Sequence, residues 1–174
     1  MREFTFIIRL GSTLITTSFL VLEYSRLTAS IFLFSAKGNN DGSYDVTAST
    51  SNGPLSVSFP AQPTNSTLKL RATSKNALAN VNLHRAFEGR FTVQTTNGRP
   101  IVEGDENAEA PDGDRKKRRD LRTAVYQDRT VGSVGWVGVE EKTPEEEEEE
   151  RRRSKGRGDV EVVTTNAPAM LKFM

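Results

Sequence analysis

The chain has 174 residues, enough for one domain with its own core but short for two full domains. It contains no cysteine, which excludes disulfides, thiolate zinc sites and cysteine nucleophiles. Its net charge of +1 provides no chain-wide field that would attract nucleic acid or an anionic membrane, so no nucleic-acid partner is expected.

Residues 1–26 form an atypical N-terminal segment that has two interpretations. Phe4 to Leu22 is rich in apolar residues and follows Arg2, as in a signal peptide or a membrane anchor. Arg9 and several Ser and Thr residues interrupt this run, and we therefore expect no stable membrane span. The alternative is degenerate β-strands, because Thr, Ile and Phe are frequent in the segment and helix formers are few.

Alternation of apolar and polar residues predicts half-buried β-strands in the middle and at the end of the chain. No stretch in 40–102 has the periodicity of an amphipathic helix. The alternating stretches are Tyr44–Thr50, Leu55–Phe59, Leu68–Ala72, Ala79–Leu83, Phe91–Thr95, Val160–Val162 and Ala169–Phe173.

A short phrase recurs next to these strands. Hydroxyl residues lead to an Asn, a small or polar residue, often a Pro, and then an apolar residue. Successive Asn residues are 24, 21 and 69 positions apart, and 69 is three times 23. This spacing predicts stacked repeats of about 21–24 residues. The residues assigned to this structural corner motif are Asn52, Gly53, Pro54, Asn76, Asn97, Gly98, Asn166 and Pro168.

The prolines of the motif distinguish a corner from a hairpin turn. Pro54 and Pro168 directly follow the two residues that would be the centre of a hairpin turn, an Asn and a small residue. Pro lacks the N–H that a strand leaving a tight hairpin donates. We therefore favour corners between parallel coils, which is an all-β β-solenoid or short β-helix-like stack. In this fold the Asn side chains stack on each other, and the hydroxyls bond the corner backbone. One further coil, around Trp136, is expected between Asn97 and Asn166.

Charge is concentrated in two blocks. Of the 47 Asp, Glu, Lys and Arg residues, 30 fall in 103–129 and 140–159. Such blocks lack the apolar residues for a core, so we predict a single β-repeat domain at 27–173 interrupted by disordered charged inserts at 103–129 and 140–158. Arg115–Arg119 and Glu145–Glu150 are interpreted as solvated loops. The alternatives are a nuclear-localisation or polyanion-binding tract for the basic run, and weak binding of basic partners or divalent cations for the glutamate run.

No catalytic, cofactor-binding or metal site is predicted. His84 is the single histidine, so a multi-histidine metal site is excluded, and its proximity to Glu88 is interpreted as a turn between strands. Paired carboxylates for glycoside hydrolysis would come from Asp41, Asp45, Glu88 and Glu103, but nothing in the sequence sets two of them at the required separation.

Several of these stretches together resemble a known family. They are Tyr44–Leu55, Leu68–Leu83, the His84-Arg85-Ala86-Phe87-Glu88-Gly89 phrase, Gly132–Trp136 and Val163–Pro168. The resemblance is to the fungal family called domain of unknown function 7330 and covers roughly 27–102 and 130–173. A weaker similarity is to the putative-adhesin β-solenoids of bacteria. The resemblance implies an all-β repeat fold and an intracellular protein, and it implies no activity.

The function expected from the sequence is that of a non-catalytic structural or interaction protein that presents a Thr/Ser/Asn-rich β surface. A protein partner would dock on the strand faces or on the charged inserts. The alternatives are a carbohydrate-active enzyme on a β-helix scaffold and an adhesin-like cell-surface protein. An intracellular location is favoured over secretion.

Overall fold

The structure is a computed structural model that describes residues 3–12, 16–22, 26–35, 41–104, 110, 117–138 and 158–174. These residues are all-β and contain no helix. Their strands are β1 (Glu3–Ser12), β2 (Thr16–Leu22), β3 (Arg26–Ser35), β4 (Asp41–Thr50), β5 (Leu55–Ala61), β6 (Asn65–Ser74), β7 (Ala79–Leu83), β8 (Gly89–Thr95), β9 (Pro100–Gly104), β10 (Lys117–Val125), β11 (Arg129–Gly138), β12 (Gly158–Thr164) and β13 (Ala169–Phe173).

The strands form two sheets, and the chain alternates between them from β1 to β9. Sheet A has the order β1-β3-β5-β7-β13-β9, and sheet B has the order β10-β11-β8-β12-β6-β4-β2. All neighbouring strands of sheet A are parallel. In sheet B the neighbours are parallel along the part of the order that reads β8-β12-β6-β4-β2. Parallel neighbours need a connection that leaves the sheet and returns, and here that connection is a strand of the other sheet.

The last two strands are inserted into the sheets out of chain order. Strand β12 lies between β6 and β8 in sheet B, and β13 lies between β7 and β9 in sheet A. The C-terminal strands are therefore central, and each pairs with parallel neighbours on both sides. Residues from the two ends of the described chain thus complete the same two sheets.

The charge pattern on the outer face of sheet B favours this order. Asp159 of β12 lies in register with Lys69 on one side and with Arg90 on the other. Glu161 forms an ion pair with Arg71, with 3.2 Å between Oε2 and Nε. If β6 and β8 were direct neighbours in the same register, Lys69 would face Arg90. Like charges directly opposite each other are destabilising, and the acidic strand between them removes this repulsion.

A single hydrophobic core lies between the two sheets. Inward residues of equal register form apolar columns, such as Val46, Leu70, Val160 and Phe91 in sheet B and Ala29, Val57, Val81 and Leu171 in sheet A. Each of these side chains is at least 97% buried. Burial of one such Val or Leu contributes about 1.5–3 kcal/mol, so stability grows with each strand that is added to the stack.

The two sheets end differently. Beyond β8, sheet B continues with β11 and β10, which are antiparallel to their neighbours. Among the described residues, the last strand of sheet A is β9. The β10–β11 hairpin extends sheet B by two strands past β8, and we call it the overhang.

Two sequence predictions differ from the structure. The coil expected around Trp136 is absent, because Trp136 lies on β11 of the overhang. The 69-residue separation of Asn97 and Asn166 therefore does not represent three consecutive repeats.

The first predicted charged insert, 103–129, is also partly regular, because its residues 117–125 form β10. Their alternation places Arg119 and Leu121 on the inner face, where Leu121 packs against the core. The second predicted insert lies outside the described residues except for Gly158. In the N-terminal segment, β1 and β2 pair with β3 and β4.

Candidate functional site

The outer face of sheet A carries a lattice of small neutral polar side chains. They form two ranks across β3, β5 and β7, one of Thr28, Ser56 and Asn80 and the other of Ser30, Ser58 and Asn82. We call these six residues the polar grid. Each is half-buried by its neighbours and alternates with fully buried apolar residues, so all six lie on the outer face of the sheet. The Asn80 Oδ1 atom is itself buried there, with no hydrogen-bond partner among the described residues. Neighbouring ranks and strands are about 7 Å and 4.8 Å apart.

The polar grid has chemically distinct borders. Along β3 it is followed by Phe32 and Phe34, whose rings stack with centroids 6.4 Å apart and an interplanar angle of 8°. Phe34 is 45% exposed, and its carbonyl oxygen accepts a 2.6 Å hydrogen bond from the Tyr44 hydroxyl, which fixes this end of β3. On the β13 side the second rank continues with the Lys172–Glu103 ion pair.

The outer face of sheet B differs sharply from this grid. One rank of its outward positions alternates in charge across the strands, with Asp45 opposite Lys69, which is opposite Asp159. Another rank, formed by Ser49, Thr73, Val163 and Gln94, carries no charge. The polar grid on sheet A thus offers neutral donors and acceptors alone, whereas the outer face of sheet B also carries a rank of alternating charges.

The four motif asparagines form one continuous hydrogen-bonded ladder. Asn76 Nδ2 donates to Asn52 Oδ1 at 2.7 Å, and Asn166 Nδ2 donates to Asn76 Oδ1 at 2.7 Å. Asn97 Nδ2 donates to Asn166 Oδ1 at 2.8 Å. The order along the ladder is Asn52, Asn76, Asn166 and Asn97, which follows the sheet order and not the chain order.

The hydroxyl two positions before each ladder asparagine is buried. Thr50, Ser74, Thr164 and Thr95 are each at most 3% exposed. Thr50 Oγ1 donates to the Gly53 carbonyl, and Thr95 Oγ1 donates to the Ala167 carbonyl at 2.9 Å. Each of these carbonyl oxygens also accepts a second hydroxyl, Ser74 Oγ at the Gly53 carbonyl and Thr164 Oγ1 at the Ala167 carbonyl. The buried hydroxyls thus hold the corner backbone of neighbouring strands together.

The remaining motif residues lie where the chain crosses between sheets. Gly53 and Pro54 connect β4 of sheet B to β5 of sheet A, and Pro168 connects β12 to β13. Gly98 packs so closely that a Cβ there would meet the Ala167 carbonyl and lie 2.7 Å from Thr95 Oγ1. Gly53 is buried and Pro54 and Gly98 are half-buried, so the accessible part of the motif consists of the exposed asparagines and Pro168.

We expect Asn166→Ala to destabilise the protein about twice as much as Asn52→Ala. Asn166 makes two bonds in the middle of the ladder, whereas Asn52 makes one bond to a described residue. With about 0.5 kcal/mol per exposed bond, the losses are about 1 and 0.5 kcal/mol. Urea unfolding measures both, and equal losses for the two variants would show that the bonds do not add along the ladder.

His84 lies in the connection between β7 and β8. Its Nδ1 accepts a 3.1 Å hydrogen bond from the Ala86 amide, so the neutral ring carries its proton on Nε2. Burial, together with the positive charges of Arg85 and Arg119, lowers the pKa of His84. The Phe87 amide donates to the His84 carbonyl at 2.9 Å, which makes this connection a tight turn.

The carboxylates considered for glycoside hydrolysis do not form one site. Asp45 lies on the outer face of sheet B, and Glu103 lies on the outer face of sheet A. Glu88 lies in the turn before β8. The side chain of Asp41 lies outside the described residues. Asp45 and Glu103 are thus separated by the thickness of both sheets.

The basic tract is divided by the structure, and Arg119 is a residue whose position sequence reasoning missed. Arg115 and Lys116 lie outside the described residues, whereas Arg118 is exposed on β10. Arg119 is only 5% exposed, and its guanidinium lies 5.5 Å from the ring centroid of Trp136 and 5.2 Å from that of Phe173. Five successive basic residues give no signal for which one is buried. Only the alternation of inner and outer faces along β10, known once the strand is known, places Arg119 on the inner face.

In the part of the chain that the structure describes, no cluster of three or more His, Cys, Asp or Glu residues is arranged to hold a metal ion. The same residues include no helix that is long and apolar enough to cross a membrane.

The chain matches no family model, no curated protein and no solved structure.

Proposed function

We propose that this chain is a non-catalytic interaction protein of β-solenoid type, and that its polar grid binds a neutral, hydroxyl-rich polymer. The observation that supports binding at this face is the lattice of six neutral polar side chains in two ranks, next to the exposed Phe34. The two parallel sheets that the chain crosses in alternation, together with the asparagine ladder, support the solenoid assignment. The resemblance to domain of unknown function 7330 is kept as part of the same proposal.

The chemistry of the grid favours polysaccharides over charged partners. Hydroxyl and carboxamide groups both donate and accept, as sugar hydroxyls do, and short Ser and Thr side chains lose little rotamer freedom on binding. A lattice that repeats at strand spacing suits a partner that itself repeats. Phe34 adds an apolar ring on which the C–H face of a sugar ring can pack.

Binding to insoluble cellulose and chitin tests the proposal. We expect the full chain to sediment with at least one of them, and Ser58→Arg at the centre of the grid to weaken binding at least about tenfold. Ser49→Arg is the matched control because it adds the same group to the outer face of sheet B, and we expect it to bind like the parent protein. Equal binding by both variants, or no binding to either polymer, would count against this proposal.

The same incubation distinguishes the enzymatic alternative. A carbohydrate-active enzyme would release soluble sugar in proportion to time and protein concentration. A binding protein would reach saturation with no release. Soluble product that disappears in Asp45→Asn or Glu103→Gln would overturn the non-catalytic assignment.

A further inference from the structure

The two Asn-Gly pairs of the chain lie at the two ends of the asparagine ladder. They are Asn52-Gly53 and Asn97-Gly98. The two inner asparagines, Asn76 and Asn166, are each followed by Ala. This arrangement exists only in the folded protein, because in chain order Asn97 comes before Asn166, whereas in the ladder Asn166 lies between Asn76 and Asn97.

An asparagine that is followed by glycine can react with its own backbone, because no Cβ on the next residue obstructs the approach. The glycine nitrogen gives up its proton to water or hydroxide and attacks the asparagine Cγ. The Cγ–Nδ2 bond breaks, ammonia leaves and a cyclic imide forms. Water then opens the imide at either carbonyl and leaves aspartate or isoaspartate. The net change converts a side-chain amide and water into a carboxylate and ammonium.

We propose that Asn97 is a site of spontaneous deamidation in the folded protein, and that Asn52 is protected from the same reaction. Asn97 is exposed, and the attacking group, the Gly98 amide, donates no hydrogen bond to a described residue. The buried corner hydroxyl of this strand, Thr95 Oγ1, donates to the Ala167 carbonyl of the neighbouring corner and not to Gly98. The backbone at Gly98 is therefore held less firmly than at the other end of the ladder.

The corner after Asn52 is held by two hydroxyls. Thr50 Oγ1 and Ser74 Oγ both donate to the Gly53 carbonyl, and Gly53 is buried, whereas Gly98 is half-buried. Formation of the imide requires the glycine backbone to rotate toward Cγ. Two hydrogen bonds on the glycine carbonyl oppose that rotation, so Asn52 should react more slowly although its local sequence is equally reactive.

The ladder has a direction, so a new carboxylate has different effects at its two ends. Asn97 is a donor, with 2.8 Å between its Nδ2 and Asn166 Oδ1. An aspartate there has no N–H, and its oxygen would face another oxygen. Asn52 is an acceptor, because its Oδ1 accepts from Asn76 Nδ2 at 2.7 Å. A carboxylate oxygen at Asn52 can accept the same bond with the assistance of its charge. Deamidation of Asn97 therefore removes the side-chain bond between the corners of β8 and β12.

Peptide mapping by mass spectrometry, during incubation of the full chain at mildly alkaline pH, tests the site. In urea the local sequence sets the rate, and we expect Asn52 and Asn97 to deamidate at comparable rates. In the folded protein we expect Asn97 to deamidate at least about tenfold faster than Asn52. Asn76 and Asn166 are internal controls that should stay intact over the same time. Deamidation of Asn97 no faster than that of Asn52 or Asn166 in the folded protein would overturn the proposal.

The variants Asn97→Asp and Asn52→Asp reproduce the aspartate products and test the direction of the ladder. At neutral pH we expect Asn97→Asp to raise the unfolding equilibrium constant at least about threefold more than Asn52→Asp does, as measured by urea unfolding. Below the usual aspartate pKa of about 4, the protonated carboxyl regains an O–H donor, so the difference between the variants should shrink. Equal stability of the two variants at neutral pH would contradict the loss of a donor at Asn97.

Discussion

Replacing Gly89 by alanine is expected to destabilise the protein by about 2–4 kcal/mol. Gly89 begins β8 with a φ of +155°, a conformation that side-chain-bearing residues rarely adopt. A Cβ there would also collide with the backbone of Gly158, whose carbonyl carbon would lie 2.7 Å away. Backbone cannot move aside as a flexible side chain does, so strain and overlap act together. Urea or thermal unfolding measures the loss.

Gly135→Ala is the matched control for this change. A Cβ at Gly135 would have one neighbour, Glu88 Oε2, at 4.0 Å, which is an ordinary contact. We expect this variant to stay within about 1 kcal/mol of the parent protein, and reduced freedom of its unfolded chain favours a small gain. A Gly89→Ala variant as stable as Gly135→Ala would mean that β8 and β12 do not approach as closely as described.

The reason for this close approach is the insertion of β12. Gly158, the first residue of β12, lies between β8 and β6, and a Cβ on it would be 2.7 Å from Phe87 Cε2 and 3.1 Å from the Leu68 carbonyl oxygen. Two glycines in contact, one from each strand, allow the C-terminal strand to enter between two strands formed earlier in the chain. Gly89→Ala therefore tests the strand order of sheet B as well as the conformation of one residue.

The alternating sequence was sufficient to predict strands β4 to β8, β12 and β13, because their period of two is a local property, whereas β10 lies in a segment predicted to be a disordered insert. Tyr44, Val46 and Ala48 alternate with polar residues and are all fully buried in the structure. The positions of Gly and Pro in the recurring phrase likewise made a hairpin unfavourable. Indeed, β4 and β5, which flank Gly53 and Pro54, lie in different sheets.

Strand order could not be read from the same pattern. Every inward column is apolar, so β12 fits between any two parallel strands as far as hydrophobicity is concerned. Its position involves residues distant in sequence, such as Asp159 in register with Lys69 and Arg90, and Gly158 packed against Gly89. The separation of Asn97 and Asn166 is 69 residues, three times 23, and this suggested consecutive coils between them. The two are direct neighbours in the ladder.

The candidate binding face was only partly predictable. A Thr/Ser/Asn-rich surface was expected from composition, but the separation of the neutral polar grid on sheet A from the charged rank on sheet B requires knowledge of which strand enters which sheet. Ser56 and Lys69 both alternate with apolar residues along their strands. Only the assignment of β5 to sheet A and β6 to sheet B separates them onto opposite faces of the molecule.

Replacing Phe173 by alanine is expected to cost about 3–5 kcal/mol, the usual loss for a fully buried phenylalanine. Phe173 ends β13 and is 1% exposed. Its ring meets Phe91 edge to face at a centroid distance of 5.4 Å and stacks on Phe87 at 6.3 Å. The Arg119 guanidinium of the overhang lies over the same ring. One side chain of the inserted strand thus joins sheet A, sheet B and the overhang.

This position gives Phe173→Ala a second signature besides lower stability. Trp136, the single tryptophan, is 8% exposed beside Arg119, so its fluorescence reports on the packing of the overhang. We expect its emission to shift to the red in the folded Phe173→Ala protein. Phe173→Leu keeps most of the volume and should cost less than about 1.5 kcal/mol. Met174→Ala, at the exposed neighbouring residue, should stay within about 0.5 kcal/mol.

The combination of results identifies what Phe173 does. A large loss of stability with unchanged Trp136 emission would mean that Phe173 holds the two sheets together and that the overhang packs independently of it. A loss below about 1 kcal/mol would contradict burial of the ring between both sheets. The expected result, a large loss with a shifted emission, means that the C-terminal strand fixes the overhang on the core.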